Sequence, residues 1–262
     1  MPGWIDAHNH LQDGRLCDHD AIIRSMREAG IEKCIVNATR EDDWPKVESL
    51  AVAHPDFIIP TFGIHPWHAH TACPGWQERL TAYLIKHPQS SIGECGLDGW
   101  IDSPSIDIQS PIFIDQLRIA RELKRCATIH CLRAWESLFD AFKHQAPPKR
   151  FLLHSFNGSI ETARRLIPLG ARFSFSGYFL KPEKSRTIEV FRQLPPERIL
   201  LETDAPDMTP PAKFTTHPLA ENLNHPANLP AIGQALAKAL QLSHEHLADL
   251  TRANTIDCFT LP

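Results

Sequence analysis

Short apolar runs rich in β-branched residues recur through the first 205 residues, at 3–8, 33–38, 57–63, 91–96, 127–131, 150–155, 171–176 and 198–203. They are near-continuously hydrophobic instead of alternating, the pattern of parallel strands buried on both faces. Between them lie segments with helical spacing. Residues 20–29 place Ile22, Ile23 and Met26 on one side, with Gly30 positioned to stop the helix. Residues 76–86 carry Leu80, Tyr83 and Leu84, and 109–124 align Phe113, Leu117, Ala120 and Leu123. Residues 159–169 open on Ser159 as an N-cap and end before Gly170. Eight strand–helix alternations predict an α/β fold, a (β/α)8 TIM barrel, with a doubly wound open sheet as the other arrangement of the same elements. Beyond Pro206, 227–240 and 244–255 read as additional C-terminal helices packed on the outside of the barrel.

The length of 262 residues suits one barrel. No Gly/Ser run, charge block or repeat interrupts it, so residues 1–262 are expected to form a single domain. A net charge of −4 argues against a surface coated in basic residues for nonspecific nucleic-acid binding, but leaves room for a local basic cleft. The first residues, Met1-Pro2-Gly3-Trp4-Ile5-Asp6, lack the basic and apolar regions of a signal peptide, and no apolar run approaches the ~20 residues that span a bilayer. Seven cysteines without a CxxC pair read as reduced thiols, hence a cytoplasmic location. Cys95 and Cys131 adjoin polar strand-end residues but should face the other way, into core packing. The simplest oligomeric expectation is a monomer.

The chemistry lies where polar residues fall on the strands. Most strands end in His, Glu or Asp, at the end where barrel enzymes carry their catalytic groups. The first ends in His8-Asn9-His10, whose i and i+2 imidazoles share a face. The fourth ends in Glu94, the fifth in His130 and the sixth in His154, while the eighth runs through Glu202-Thr203-Asp204. Ionisable side chains converging at barrel strand ends carry a large burial cost unless an ion is shared. Four imidazoles and two carboxylates (His8, His10, Glu94, His130, His154 and Asp204) suit Zn²⁺, Mn²⁺ or Ni²⁺, with Mg²⁺ a further option. Six groups exceed the needs of one tetrahedral ion, so two divalent metal ions with Glu94 as a bridge are expected. Such a centre activates water, and Asp204 is placed to take its proton.

These residues resemble the TatD-type metal-dependent hydrolases of the amidohydrolase-like barrels. The likeness runs through Ile5-Asp6-Ala7-His8-Asn9-His10-Leu11, Gly63-Ile64-His65-Pro66, Ile92-Gly93-Glu94-Cys95-Gly96-Leu97-Asp98 and Ile129-His130-Cys131. It continues through Leu153-His154-Ser155-Phe156-Asn157-Gly158, Ser174-Phe175-Ser176-Gly177, Leu200-Leu201-Glu202-Thr203-Asp204-Ala205-Pro206 and Asn224-His225-Pro226-Ala227-Asn228-Leu229. The resemblance implies a two-metal site in which His8, His10, Glu94 and Asp204 hold one ion and Glu94, His130 and His154 the other. It also implies deoxyribonuclease activity, often 3′–5′ exonucleolytic on single-stranded DNA, with Asp204 and Glu94 as catalytic groups and His65 near the substrate phosphate. Some relatives remove D-amino acids from tRNA.

The chain departs from the family after the fifth strand. The usual His-Cys-Arg-Asp-Ala reads His130-Cys131-Leu132-Arg133-Ala134, shifting a candidate phosphate contact to Arg133 by one residue. Gly99 also intervenes between Asp98 and Trp100. Trp100 or Trp67 is a candidate for stacking on a base. Asp6 shares a face with His8 and is a candidate to orient it. His68 and His70 read as a solvated loop pair, and His244 and His246 diverge on a helix. The leading expectation is therefore a phosphodiester-cleaving hydrolase acting at a nucleic-acid end. A metal-dependent esterase or amidase, including a D-aminoacyl-tRNA deacylase, is the alternative on the same scaffold. A metal-binding protein without turnover is the alternative from another class.

Overall fold

The computed structural model describes residues 3–261. Eight parallel strands follow chain order, each hydrogen-bonded to the next: β1 (Trp4–Asn9), β2 (Ile31–Asn37), β3 (Ile58–Phe62), β4 (Ser91–Asp98), β5 (Ala127–Leu132), β6 (Phe151–Leu153), β7 (Ala171–Phe175) and β8 (Ile199–Leu201). Helices α1 (His19–Glu28), α2 (Trp44–Ala53), α3 (Trp76–Lys86), α4 (Ile106–Glu122), α5 (Trp135–His144), α6 (Ile160–Leu166) and α7 (Ser185–Phe191) alternate with the strands. The C-terminal helices α8 (Leu229–Leu240) and α9 (His244–Phe259) follow β8. This is the (β/α)8 barrel with additional C-terminal helices that the alternation predicts.

The seam between β8 and β1 is closed by backbone bonds from Asp204 N to the His8 carbonyl (3.0 Å) and from His10 N to that of Ala205 (2.8 Å). The fully buried Asp6 carboxylate completes the closure, accepting the Thr203 N–H at 2.9 Å, its hydroxyl at 2.6 Å and the Asn9 amide at 3.0 Å. Asp6 thus ties two strands together and does not orient the His8 ring, the role considered from its position in the sequence.

The strand alternation explains how an apolar barrel carries a polar mouth. Ala7, Ile35, Ile59, Leu152 and Leu200 form a compact cluster plugged from below by Phe259 and Leu261 of the C-terminal segment. Two residues further along four of these strands, on the same face, stand Asn37, Thr61, His154 and Glu202. The opposite strand faces pack on the helices in a separate, larger cluster that includes Cys34, Cys95, Phe151 and Phe173.

Local signals set the helix ends. Asp18 caps α1 through the Ala21 N–H (3.1 Å), Ser159 caps α6 through that of Thr162 (3.1 Å), and Ser243 caps α9 through that of His246 (3.1 Å). Three helices, α2, α5 and α7, are absent from those predicted by periodicity. The buried positions of α2, Trp44, Val47 and Ala51, are helically spaced but start among acidic residues and Pro45. Two buried glutamines of α4 then hold the ends of the strands. Gln109 bonds both Asp98 N (2.7 Å) and O (3.0 Å), and Gln116 does the same for Ile64 (2.8 and 3.0 Å). Backbone groups at strand ends have no ladder partner, and these amides satisfy them inside the protein.

Candidate metal centre

The six residues expected from the sequence meet at the C-terminal mouth of the barrel. Glu94 stands at their centre. Its Oε2 lies 3.3 Å from His8 Nε2 and 3.1 Å from His10 Nε2. Its Oε1 lies 2.7 Å from His154 Nε2 and 3.0 Å from His130 Nδ1. Asp204 Oδ1 joins the first set, 3.3 Å from His8 Nε2 and 3.5 Å from His10 Nε2. The two histidines of each set also approach each other, His8 Nε2 to His10 Nε2 at 3.2 Å and His130 Nδ1 to His154 Nε2 at 3.2 Å. One carboxylate therefore serves two nests of nitrogen and oxygen donors.

The strands place these groups by specific means. His8 and His10 straddle the end of β1 across a register shift between Asp6 and Asn9. Gly96 has φ +140°, and a Cβ there would lie 2.0 Å from the His130 carbonyl oxygen, so only glycine lets β4 approach β5 where His130 emerges. Asp204 adopts the left-handed conformation (φ 55°), uncommon for a side chain with a Cβ and a way to turn its carboxylate back over the mouth. Asn224 secures that turn by donating to the Thr203 carbonyl (2.8 Å), and Asn228 in turn donates to Asn224 Oδ1 (3.1 Å).

Hydrogen bonds on the far ring nitrogens fix the tautomers. His10 Nδ1 faces the Asn37 carbonyl at 2.8 Å, so that nitrogen carries the proton and Nε2 turns a lone pair to the site. His130 Nε2 faces Asp98 Oδ2 at 3.0 Å, which leaves Nδ1 as its inward lone pair. His154 Nδ1 makes no hydrogen bond among the described residues, the Glu202 Oε1 beside it lying at 3.7 Å, and its ring instead stacks on His8 with centroids 4.1 Å apart. Lone pairs pointed at lone pairs and at carboxylate oxygens repel one another unless positive charge lies between them. Borderline nitrogens and hard oxygens in this mixture fit Zn²⁺, Mn²⁺ or Ni²⁺.

The electrostatics agree. Burial alone would raise the Glu94 carboxyl, but the charge of His154 and hydrogen bonds from His10 and His130 hold it well below the carboxylate range. Burial likewise opposes ionisation of Asp204, yet the hydrogen bonds of His10 and His8 keep it low. Burial would depress the His10 and His154 imidazoles, and their neighbouring carboxylates instead hold both well above the ordinary value. Without a metal, protons on these imidazoles balance the two carboxylates, and an entering cation would take their place.

His65 is different. The Trp67 N–H donates to its Nδ1 at 3.2 Å, so Nε2 carries the hydrogen and points at Glu94 Oε1, 3.1 Å away. Burial pushes its pKa down to about 4. Although its Nε2 lies within ligand range of Glu94 and His130, the tautomer makes His65 a neutral hydrogen-bond donor.

Two further acids belong to the site and were not singled out from the sequence. Glu202, fully buried, accepts the Ser155 N–H (2.7 Å) and hydroxyl (2.6 Å) and the Ser174 hydroxyl, and lies beside the outer nitrogens of His8 and His154. It stands just past the end of β8, two residues before Asp204, in the same Glu202-Thr203-Asp204 stretch that the sequence offered. Asp98, which backs His130, also accepts the Trp67 indole N–H at 2.7 Å and the Trp100 N–H at 2.7 Å. Arg133 (φ 50°) leans its guanidinium over the Trp100 ring, 4.7 Å from its centroid. His68 lines the mouth, while His70 is exposed and His244 packs against Trp4.

The model of the TatD related DNase family matches residues 5–260. The chain belongs to this family. The metal-dependent hydrolase YjjV of Escherichia coli K12 is 28% identical over 99% of this chain and 98% of its own. The protein named 3′-5′ ssDNA/RNA exonuclease TatD of Erwinia tasmaniensis is 30% identical over 93% of this chain and 94% of its own. The crystal structure of E. coli YjjV superimposes with a TM-score of 0.90, at 27% identity, covering 99% of this chain and 98% of the other. Among the described residues of this TatD-family chain, no helix is long and apolar enough to cross a membrane. All seven cysteines are free thiols, with Cys95 and Cys131 buried in the helix-facing core as expected.

Proposed function

We propose that this chain is a two-metal phosphodiesterase that shortens single-stranded DNA from its 3′ end, working as a single barrel unit. The observation that carries the reading is the division of Glu94: one oxygen faces His8 and His10 beside Asp204, the other faces His130 and His154. His8, His10, Glu94 and Asp204 would hold one divalent ion, and Glu94, His130 and His154 the other. Ions held there supply Lewis acidity and lower the pKa of water to about 7. Asp204, whose Oδ1 faces His8 and His10 at the mouth, receives the proton of the attacking water. His65 offers its Nε2–H to a phosphoryl oxygen, a contact that strengthens as negative charge grows in the transition state. Asp98 keeps the His130 ring in position through its Nε2, and stacking on His8 does the same for His154. The name of the Erwinia relative supports the substrate class.

The test is degradation of 3′-ended single-stranded DNA by purified protein with added Mg²⁺, Mn²⁺ or Zn²⁺ and with EDTA, using His130→Ala against contaminating nuclease. Metal-dependent shortening that disappears in the variant is the expected result. Intact DNA alongside hydrolysis of a carboxylic ester, such as an aminoacyl-tRNA, would overturn the phosphodiester reading.

A further inference from the structure

Two cavities open from the metal centre and share His130, His154, Asp204 and Met208 in their walls, one of about 460 Å³ and the other of about 770 Å³. Their chemistry differs. In the smaller, toward the β1–β3 loops, Arg15, Arg40 and Lys46 meet four acids besides the shared Asp204: Asp13 and Asp207, each bound to Arg15 at 2.8 Å, with Asp43 and Glu94. In the larger, Arg133, Lys184 and Arg186 face one acid, Glu183, besides the shared Asp204. That wall also carries Trp100 and Tyr178, and the Tyr178 ring already has Lys181 and Lys184 ammonium groups over it at 4.2 and 5.1 Å.

We infer that the larger arm is a nucleotide subsite in which Trp100 stacks on a base while Arg133 braces the indole and meets the adjoining phosphate. This rests on the nuclease reading above. Trp100 is 62% exposed, and Arg133 lies over its ring at 4.7 Å, so a base has room on the face that Arg133 does not cover. A large exposed indole at the rim of a catalytic cavity costs solvation unless a ligand covers it, and every nucleobase offers a face to stack on it. Trp67, itself 51% exposed, lines the smaller arm, where the acids outnumber Arg15, Arg40 and Lys46 and disfavour a phosphate chain. The one-residue displacement of Arg133 in the sequence thus moves the cation onto the indole. The left-handed backbone at Arg133 turns the chain toward it (φ 50°).

The experiment measures binding in EDTA, where DNA is not consumed. Fluorescence anisotropy would follow a 5′-fluorescein octanucleotide and counterparts abasic at the last or the penultimate position, with wild type, Trp100→Ala and Trp100→Phe. Removing one of the two bases should weaken wild-type binding roughly 5- to 100-fold. Trp100→Ala should bind intact DNA as weakly as wild type binds the abasic strand, with no further loss from the abasic site, and Trp100→Phe should restore most of the difference. An abasic penalty unchanged in Trp100→Ala, or absent in wild type that binds DNA, would overturn the subsite while leaving the nuclease reading intact. No DNA binding by wild type would overturn the subsite, while the nuclease reading falls only if the metal-loaded protein leaves DNA intact.

Discussion

Asp98 accepts the Nε2–H of His130 at 3.0 Å, and that bond decides which nitrogen of the ring faces Glu94 in the candidate metal centre. The carboxylate is in turn held by the Trp67 indole and the Trp100 backbone. Burial works against its ionisation, but the His130 and Trp67 hydrogen bonds bring its pKa down to about 2, so it is an anion throughout the working range. Replacing Asp98 with Asn offers an N–H where His130 needs an acceptor. Asp98→Asn is expected to weaken divalent metal binding about 10- to 100-fold, and Trp67→Phe by less. Calorimetric titration with Zn²⁺ or Mn²⁺ checks both, and unchanged affinity in Asp98→Asn would show that His130 needs no such anchor.

His65 makes the opposite prediction about metal. Its Nδ1 is occupied by the Trp67 N–H, so it faces the centre as a neutral donor. His65→Ala should retain the full complement of metal while kcat/KM on DNA falls by about 100- to 1000-fold, the range of a lost transition-state donor. Elemental analysis of the variant separates the roles: loss of one ion per chain would make His65 a ligand.

Asp6 governs stability more than chemistry. It sits at the closing seam, where its carboxylate satisfies the Thr203 backbone and hydroxyl and the Asn9 amide. Asp6→Ala leaves those buried donors unpaired and is expected to cost about 2–5 kcal/mol of unfolding free energy. Urea denaturation of the metal-free protein measures this without interference from ligand binding. A loss below about 0.5 kcal/mol, the level of an ordinary surface change, would mean that the seam is held elsewhere.

His225 gives stability an acid limb. It is buried, and its Nδ1 accepts the Ala227 N–H at 3.0 Å. Burial, helped by His217 nearby, pulls its pKa down to about 4. An unfolded histidine titrates near 6.5, so between the two values the unfolded chain binds the extra proton. The contribution is complete above pH ~6.5 and is lost as pH falls toward 4, amounting to about 2 kcal/mol. His225→Asn keeps an acceptor for Ala227 but does not titrate. Its urea midpoint should fall less than that of wild type between pH 6.5 and 4.5, and parallel slopes would assign the acid limb to other groups.

The strands were legible in the sequence because a parallel barrel strand is buried on both faces, and only an unbroken apolar run tolerates that burial. The placement of His8, Glu94, His130, His154 and Asp204 at run ends was equally legible, since chain direction alone puts those ends at one mouth. Helices α2 and α7 were less so, because their few buried positions lie among Pro45 or charged residues and only contact with the barrel selects them, whereas α5, with Leu138, Phe139, Ala141 and Phe142 on one side, carries a helical spacing that the sequence does show. Tertiary structure alone decided the rest. Which histidine nitrogen faces inward depends on partners 27 to 32 residues away, Asn37 for His10 and Asp98 for His130. Asp6 meets Thr203 across 197 residues, a pairing that exists only when the eighth strand returns to the first. Arg133 reads in sequence as a displaced phosphate contact, but the backbone turn at that residue sets its guanidinium on Trp100. Periodicity reports which face of an element is apolar, whereas a hydrogen bond between distant strands is set by the three-dimensional closure of the barrel.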